Sequence, residues 1–195
     1  MKIILIPVVM VCFSAILFYN CTGKSKSGSS ENKVLTDEQL IQRGDYLVTT
    51  IGCNDCHSPK RMGLQGPEII PELMLSGYQA DIPLAQIDKN VLQKGWVLFT
   101  GDLNAAVGPW GVSFSANITS DATGIGNWPE ENFIRAMKQG KFKGIDGGRS
   151  LLPPMPWSNY AKMTDNDVKA IYSFLKSTKP VHNIVPMAIA PPDIK

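Results

Sequence analysis

Histidine is scarce in this chain, with His57 and His182 the only two in 195 residues. Cysteine is scarce as well. Of the four present, Cys12 and Cys21 fall in or beside an apolar leader, which leaves Cys53 and Cys56 for the folded part. A tetrahedral zinc site needs four ligands, and no second Cys or His pair exists to complete one. An excess of one charge is lacking too: 19 Lys and Arg stand against 17 Asp and Glu, a formal +2. With no large basic cluster, this argues against a nucleic-acid partner. No repeat of fixed period is visible. What remains is ordinary for a globular chain, 44% hydrophobic and 18% charged. The length suggests one domain, or one domain with a tail.

Residues 1–20 have the layout of an export signal. Lys2 gives a positive start, and Ile3 to Tyr19 is almost wholly apolar, broken by Pro7 and Ser14. The run is barely long enough for a bilayer core of ~30 Å. Cys21 follows in Leu17-Phe18-Tyr19-Asn20-Cys21. This resembles a loose bacterial lipoprotein signal, although Tyr19 and Asn20 are larger than the small residues usual there. Two readings stand, acylation at Cys21 or an uncleaved anchor, and both leave the rest of the chain outside the cytoplasm and tethered to a membrane. Residues 21–33, rich in Gly and Ser, read as a flexible tether.

Cys53-Asn54-Asp55-Cys56-His57 is Cys-x-x-Cys-His, the attachment pattern for haem c. Two thiols one helical turn apart can add to the two haem vinyl groups, and the adjacent histidine then offers a ring nitrogen to the iron. A thioredoxin-like pair would want a βαβ context, which the sequence lacks. A disulfide is the remaining alternative for an exported chain. The expected cofactor is one covalently attached haem c, with His57 as an axial ligand.

The sixth iron ligand separates a carrier from an enzyme. His182 lies in a Pro-rich stretch after the last helix, where a surface role is expected. Methionine sulfur is the alternative. Of eight methionines, Met137 falls on the apolar stripe of an expected helix and Met163 precedes a helix cap. Met155 stands in Leu151-Leu152-Pro153-Pro154-Met155-Pro156-Trp157. Three prolines deny that segment regular structure. A rigid loop presenting one soft sulfur suits a ligand better than a packing residue.

Three helices are expected. Thr36 caps the first, with Gln39 three residues on, and Leu40, Gly44, Leu47, Val48 and Ile51 share one face. It leads into Cys53. The second starts at Pro129, carries Phe133, Ile134 and Met137, and stops at Gly140. The third is capped by Thr164, buries Val168, Ile171, Tyr172 and Leu175, and is followed by Pro180. The first and third should cross near Gly44, against Ile171 and Leu175. About residues 58–110 the pattern is irregular, with Val97-Leu98-Phe99-Thr100 as one short strand. Such a connection is long for a small domain. It has too little apolar periodicity for a second domain.

Taken together, these residues resemble a class I cytochrome c. The resemblance implies an all-α cytochrome c fold, three main helices around one haem, with a long irregular insertion. The haem domain would occupy residues 34–182 and a C-terminal tail residues 183–195. A closer likeness runs over 111–180. Asn117-Ile118-Thr119-Ser120-Asp121, Thr123-Gly124-Ile125-Gly126-Asn127-Trp128, Met155-Pro156-Trp157 and Met163-Thr164-Asp165 are similar to the haem domains of the cytochrome subunits of membrane-bound alcohol and sugar dehydrogenases. In that family the methionine of the Met-Pro-aromatic motif is the distal ligand, which implies Met155. Those subunits carry three haem domains, whereas this chain has one haem motif. In class I cytochromes a proline carbonyl holds the proximal histidine, and Pro67 in Gly66-Pro67 resembles that proline. Trp128, Trp157 and Arg149 are candidate haem contacts. For the tryptophans, packing on the porphyrin is the other reading, and for Arg149 it is a solvated side chain.

The expected function is single-electron transfer at the outer face of a membrane, without enzymatic activity of its own. Donors would be a dehydrogenase or quinol-oxidising complex, and acceptors a terminal oxidase or another cytochrome. If Met155 does not bind, an open iron would instead make the chain a haem enzyme or gas sensor. A third reading is a subunit dedicated to one fixed partner, with the insertion as its hint.

Overall fold

The computed structural model describes residues 35–194. The expected signal, Cys21 and the tether lie outside the described residues. In chain order the elements are α1 (Asp37–Thr50), α2 (Cys53–His57), β1 (Lys60–Gly63), β2 (Gly66–Ile69), α3 (Lys89–Gln93), β3 (Leu98–Phe99), β4 (Ala105–Gly108), β5 (Gly111–Phe114), α4 (Glu130–Gln139), α5 (Trp157–Tyr160) and α6 (Asp165–Ser177).

The three expected helices are α1, α4 and α6. Thr36 and Gln39 form a reciprocal capping box at the start of α1. Pro129 sits one position outside α4 as its cap, and Gly140 ends that helix in the left-handed conformation. The Thr164 hydroxyl accepts from the Asp167 amide at 3.1 Å and starts α6. The apolar stripes meet in one core of Leu47, Val48, Phe133, Met137, Val168, Ile171 and Leu175, completed by Leu75 and Ile125 from loops. The crossing of α1 and α6 does fall at Gly44, but its neighbours there differ from those expected. A Cβ on Gly44 would lie 2.0 Å from the Ala170 carbonyl oxygen and 2.6 Å from Phe174 Cβ. Ile171 and Leu175 sit next to these positions in α6 and are buried in the core proper.

The all-α expectation is overturned. Among the described residues there are two antiparallel sheets, one of β1 and β2, the other ordered β3-β4-β5. The physical reason is the backbone. A segment held against the domain must pair its N–H and C=O groups, and here the turn residues permit hairpins. Gly63 pairs with Gly66 around a two-residue loop, and Gly108 with Gly111 around another. The strand expected around Val97–Thr100 is β3. Val107, Val112 and Ile194 form a second, smaller apolar cluster, joined by Leu84, Ile87, Leu92, Leu98, Phe114 and Ile189. Residues from 183 onward therefore take part in the structure. Ile189 and Val112 exchange backbone hydrogen bonds at 2.8 and 3.0 Å. Helices, sheets and this C-terminal segment belong to one compact unit.

Candidate functional site

After α1 the chain turns through Gly52 and enters α2, which is the Cys-x-x-Cys-His segment itself. Cys53 and Cys56 are free thiols, both half-buried. Burial pushes the Cys53 thiol up to about 11 and raises Cys56 as well, so both sulfurs are held protonated. Among the described residues no three His, Cys, Asp or Glu side chains converge on a point that could hold a bare metal ion.

His57 is fixed by its second nitrogen. Nδ1 lies 2.7 Å from the carbonyl oxygen of Ala116, and since a carbonyl can only accept, Nδ1 carries the proton. Burial holds the ring below the usual histidine range, while the Ala116 bond acts in the opposite direction. The imidazole is thus neutral, with the lone pair on Nε2. This is the tautomer that a proximal ligand requires. The carbonyl in question is not that of Pro67. Pro67 is exposed in β2, paired with Met62, because the chain after His57 turns at once into the β1–β2 hairpin.

Ala116 opens a loop with its own polar core. Asn117 Nδ2 donates to the Val181 carbonyl at 2.8 Å and to Thr123 Oγ1 at 3.1 Å, and Asn117 Oδ1 accepts from the Thr119 hydroxyl at 2.7 Å. Asp121 accepts from the Thr123 amide and hydroxyl, bonds that hold its carboxyl below the usual carboxylate range. His182 faces Asp121 at 3.6 Å on the surface, away from any ligand role. The Asn117 to Gly126 motif is accordingly a clamp that sets where the Ala116 carbonyl points.

Met155 and Cys53 both pack against the main core, as do Trp128 and Tyr160. The Met155 loop is pinned at its ends. The Met155 amide donates to Leu152, the Trp157 amide to Met155, and the Ser113 hydroxyl to the Pro153 carbonyl at 2.6 Å. Trp157 lies over Gly140, where a Cβ would approach the indole to 2.3 Å. The Trp128 carbonyl accepts from the Tyr172 hydroxyl at 2.7 Å. Arg149 stacks on the Phe142 ring, 3.7 Å from its centroid, and donates to the Ser150 carbonyl at 3.0 Å.

Sequence reasoning passed over Tyr160. Its phenol packs against the main core, as Cys53 does, and is pushed up to about 12, chiefly by burial and then by the two thiols. The signal for it was the three-residue spacing from Trp157, which places both rings on one side of α5. The Ala116 carbonyl had no signal, because a backbone acceptor carries no residue-type signature.

No family model matches the chain. Three relatives are cytochrome subunits. The chain is 30% identical over 171 residues to the gluconate 2-dehydrogenase cytochrome c subunit of Pantoea cypripedii, covering 85% of this chain and 29% of that protein. It is 29% identical over 154 residues to the cytochrome c subunit of the alcohol dehydrogenase (quinone) of Gluconobacter oxydans, 78% of this chain and 23% of that protein. It is 29% identical over 143 residues to the fructose dehydrogenase cytochrome subunit of Gluconobacter japonicus, 72% and 22% respectively. The relationship suggested by the motifs of residues 111–180 is therefore real: this is a homologue of cytochrome c subunits. Its particular relatives are those of gluconate, alcohol and fructose dehydrogenases, and it spans less than a third of their length.

Proposed function

We propose that the chain is a single-haem c-type cytochrome that passes electrons one at a time. The observation carrying this reading is the state of α2. Two unpaired thiols one turn apart stand beside a neutral histidine whose Nδ1–H is committed to Ala116, which leaves Nε2 for an iron. The residues present fit a haem. Cys53 and Cys56 would hold it covalently, His57 and Met155 would ligate its iron, and the apolar surfaces of Trp128 and Tyr160 would exclude water. Trp128, Trp157 and Arg149 remain the candidates for contacts to its edge, Arg149 being stacked on the Phe142 ring. The haem supplies one-electron chemistry between two iron oxidation states. The protein supplies attachment, two fixed ligands and a dry surround.

The partners proposed are redox proteins: a dehydrogenase or quinol-oxidising complex as donor, a terminal oxidase or another cytochrome as acceptor. The kinship with dehydrogenase subunits supports the first. The proposed location is the outer face of a membrane, reached by export and held by a lipid anchor at Cys21. Among the described residues no helix is long and apolar enough to cross a membrane.

The test is the visible spectrum of the matured protein, oxidised and reduced, with a haemochrome assay for covalent haem. One thioether-linked haem per chain, low-spin in both states, supports the proposal. A high-spin oxidised spectrum would mean an open iron and would replace the carrier with an enzyme or gas sensor.

A further inference from the structure

Lys60 opens β1 three residues after His57, and its ammonium is met by backbone carbonyls. Nζ donates to the Asp55 carbonyl and, at 3.2 Å, to that of Ser58, both at the end of α2. It also donates at 2.9 Å to the carbonyl of Asp102 in the turn between β3 and β4. A helix C-terminus offers unpaired carbonyls and partial negative charge, so an ammonium with three donors is well matched to it.

The bonds continue from there. The Asp102 carboxylate accepts from the Thr100 hydroxyl at 2.7 Å and from the Asn104 amide at 3.1 Å, which closes that turn. Asn104 is 1% exposed. Its carbonyl accepts from both the amide of Ser115 at 2.8 Å and the hydroxyl at 3.0 Å. The next residue is Ala116, whose carbonyl receives the His57 N–H. His57 ends α2, and α2 leads back to Lys60. A ring of bonds thus runs from α2 through Lys60, the turn 100–104 and Ser115–Ala116 to the histidine.

We propose that Lys60 is a positioning residue for His57, and that the ammonium and the ring it closes set how readily the haem site accepts an electron. The inference rests on the haem reading above. It gives the insertion a task, as the back wall of the proximal side. Two effects oppose each other when Lys60 loses its charge. A looser Ala116 carbonyl makes the imidazole a weaker donor to iron, which favours the reduced state. Loss of the cation beside α2, with the Asp55 and Asp102 carboxylates left in place, favours the oxidised state. The second is a full unit charge in a partly buried place and outweighs a change in one hydrogen bond.

The experiment compares matured wild type with K60M, K60Q and K60R by redox titration, with covalent haem counted for each and amide exchange followed at Asn104 and Ser115. At a fixed ambient poise the ratio of reduced to oxidised protein should fall roughly fivefold in K60M and K60Q and stay within about twofold in K60R. Amide exchange at Asn104 and Ser115 should accelerate about tenfold in K60M, with no change at Val168 in the main core. A K60M protein with an unchanged ratio and unchanged exchange overturns the proposal. Should K60M fail to accumulate, K60Q carries both readouts. If wild type holds no covalent haem, it is the haem reading that fails, and exchange at Asn104 and Ser115 in the isolated chain still decides whether Lys60 closes the ring.

Discussion

His57 and Ala116 meet across 59 positions of sequence, the histidine Nδ1 standing 2.7 Å from the alanine carbonyl. The bond joins α2 to the Asn117–Gly126 clamp, so the orientation of the ring depends on a loop held by polar side chains. Asn117→Ala would take the shorter of two donors from the part-buried Val181 carbonyl, leaving it the Thr119 hydroxyl at 3.4 Å, and would leave the buried Thr119 amide without its acceptor. A buried group left unpaired costs about 1–3 kcal/mol, so a loss of roughly 2 kcal/mol is expected from the shift of the denaturant midpoint. A loss below 0.5 kcal/mol (on the order of a surface change) would mean the clamp is not structural.

Gly44→Ala should be costly even though alanine favours a helix by about 1 kcal/mol. The added methyl meets the Ala170 carbonyl at 2.0 Å, and backbone cannot rotate aside. Overpacking of this kind costs about 1–3 kcal/mol beyond the propensity gain, readable by thermal or urea unfolding. Gly101→Ala is the control, with no atom within 4 Å of the new methyl, and should be near neutral.

Met155→Ala should abolish the sulfur-to-iron charge-transfer band of the oxidised protein, whereas Met163→Leu should leave it intact. Both side chains pack against the same core, so loss of packing alone would affect both. Persistence of the band in Met155→Ala would remove Met155 as the ligand.

Tyr160 supplies a pH dependence at the alkaline end. Its phenol is held near 12 in the fold and near 10 in an unfolded chain, mainly by burial. The folded value is raised and the neutral form is the one favoured by the fold. Its contribution is fully present below about 10 and is lost as pH climbs towards 12. Stability measured from pH 9 to 12 should therefore fall less steeply in Tyr160→Phe than in wild type. Parallel curves would show the phenol to be solvated.

Asn183→Ala tests the C-terminal segment. Asn183 Nδ2 donates to the Ser76 and Tyr78 carbonyls at 2.8 and 2.9 Å, and its Oδ1 accepts from the Ala80 amide at 3.3 Å. The substitution should cost about 3 kcal/mol in a denaturant titration, with amide exchange rising at Ala80.

The helices were legible because their signals are local. Thr36 with Gln39, Thr164, and Gly140 mark ends, and the stripes of α1, α4 and α6 repeat at helical spacing. Gly44 located a helix crossing, yet which residues of α6 face it depends on a rotation that one glycine does not specify. Apart from the strand around Val97–Thr100, the sheets escaped notice because their strands are short and do not alternate. β4 is buried along all four of its residues, Ala105 to Gly108, and so shows no period of two. The Gly63–Gly66 and Gly108–Gly111 spacings were the available hairpin signals. The residues proposed to hold the haem, Cys53, Cys56, His57 and Met155, were picked out by residue type and motif. The partner of His57 did not, and likeness to a proline-containing motif pointed to Pro67, which the β1–β2 hairpin carries away.

The bonds of Val181, Asn183 and Ile189 to residues far upstream also fix an order of events. In a chain threaded through a pore from its N-terminal side, the two sulfurs of α2 emerge well before the segment that locks the Ala116 loop and seals the smaller apolar cluster. During that interval the thiols stand in an unfinished fold, open to whatever would attach the proposed haem. The last stretch to arrive acts as a latch, and its arrival would end the time in which that haem could be installed.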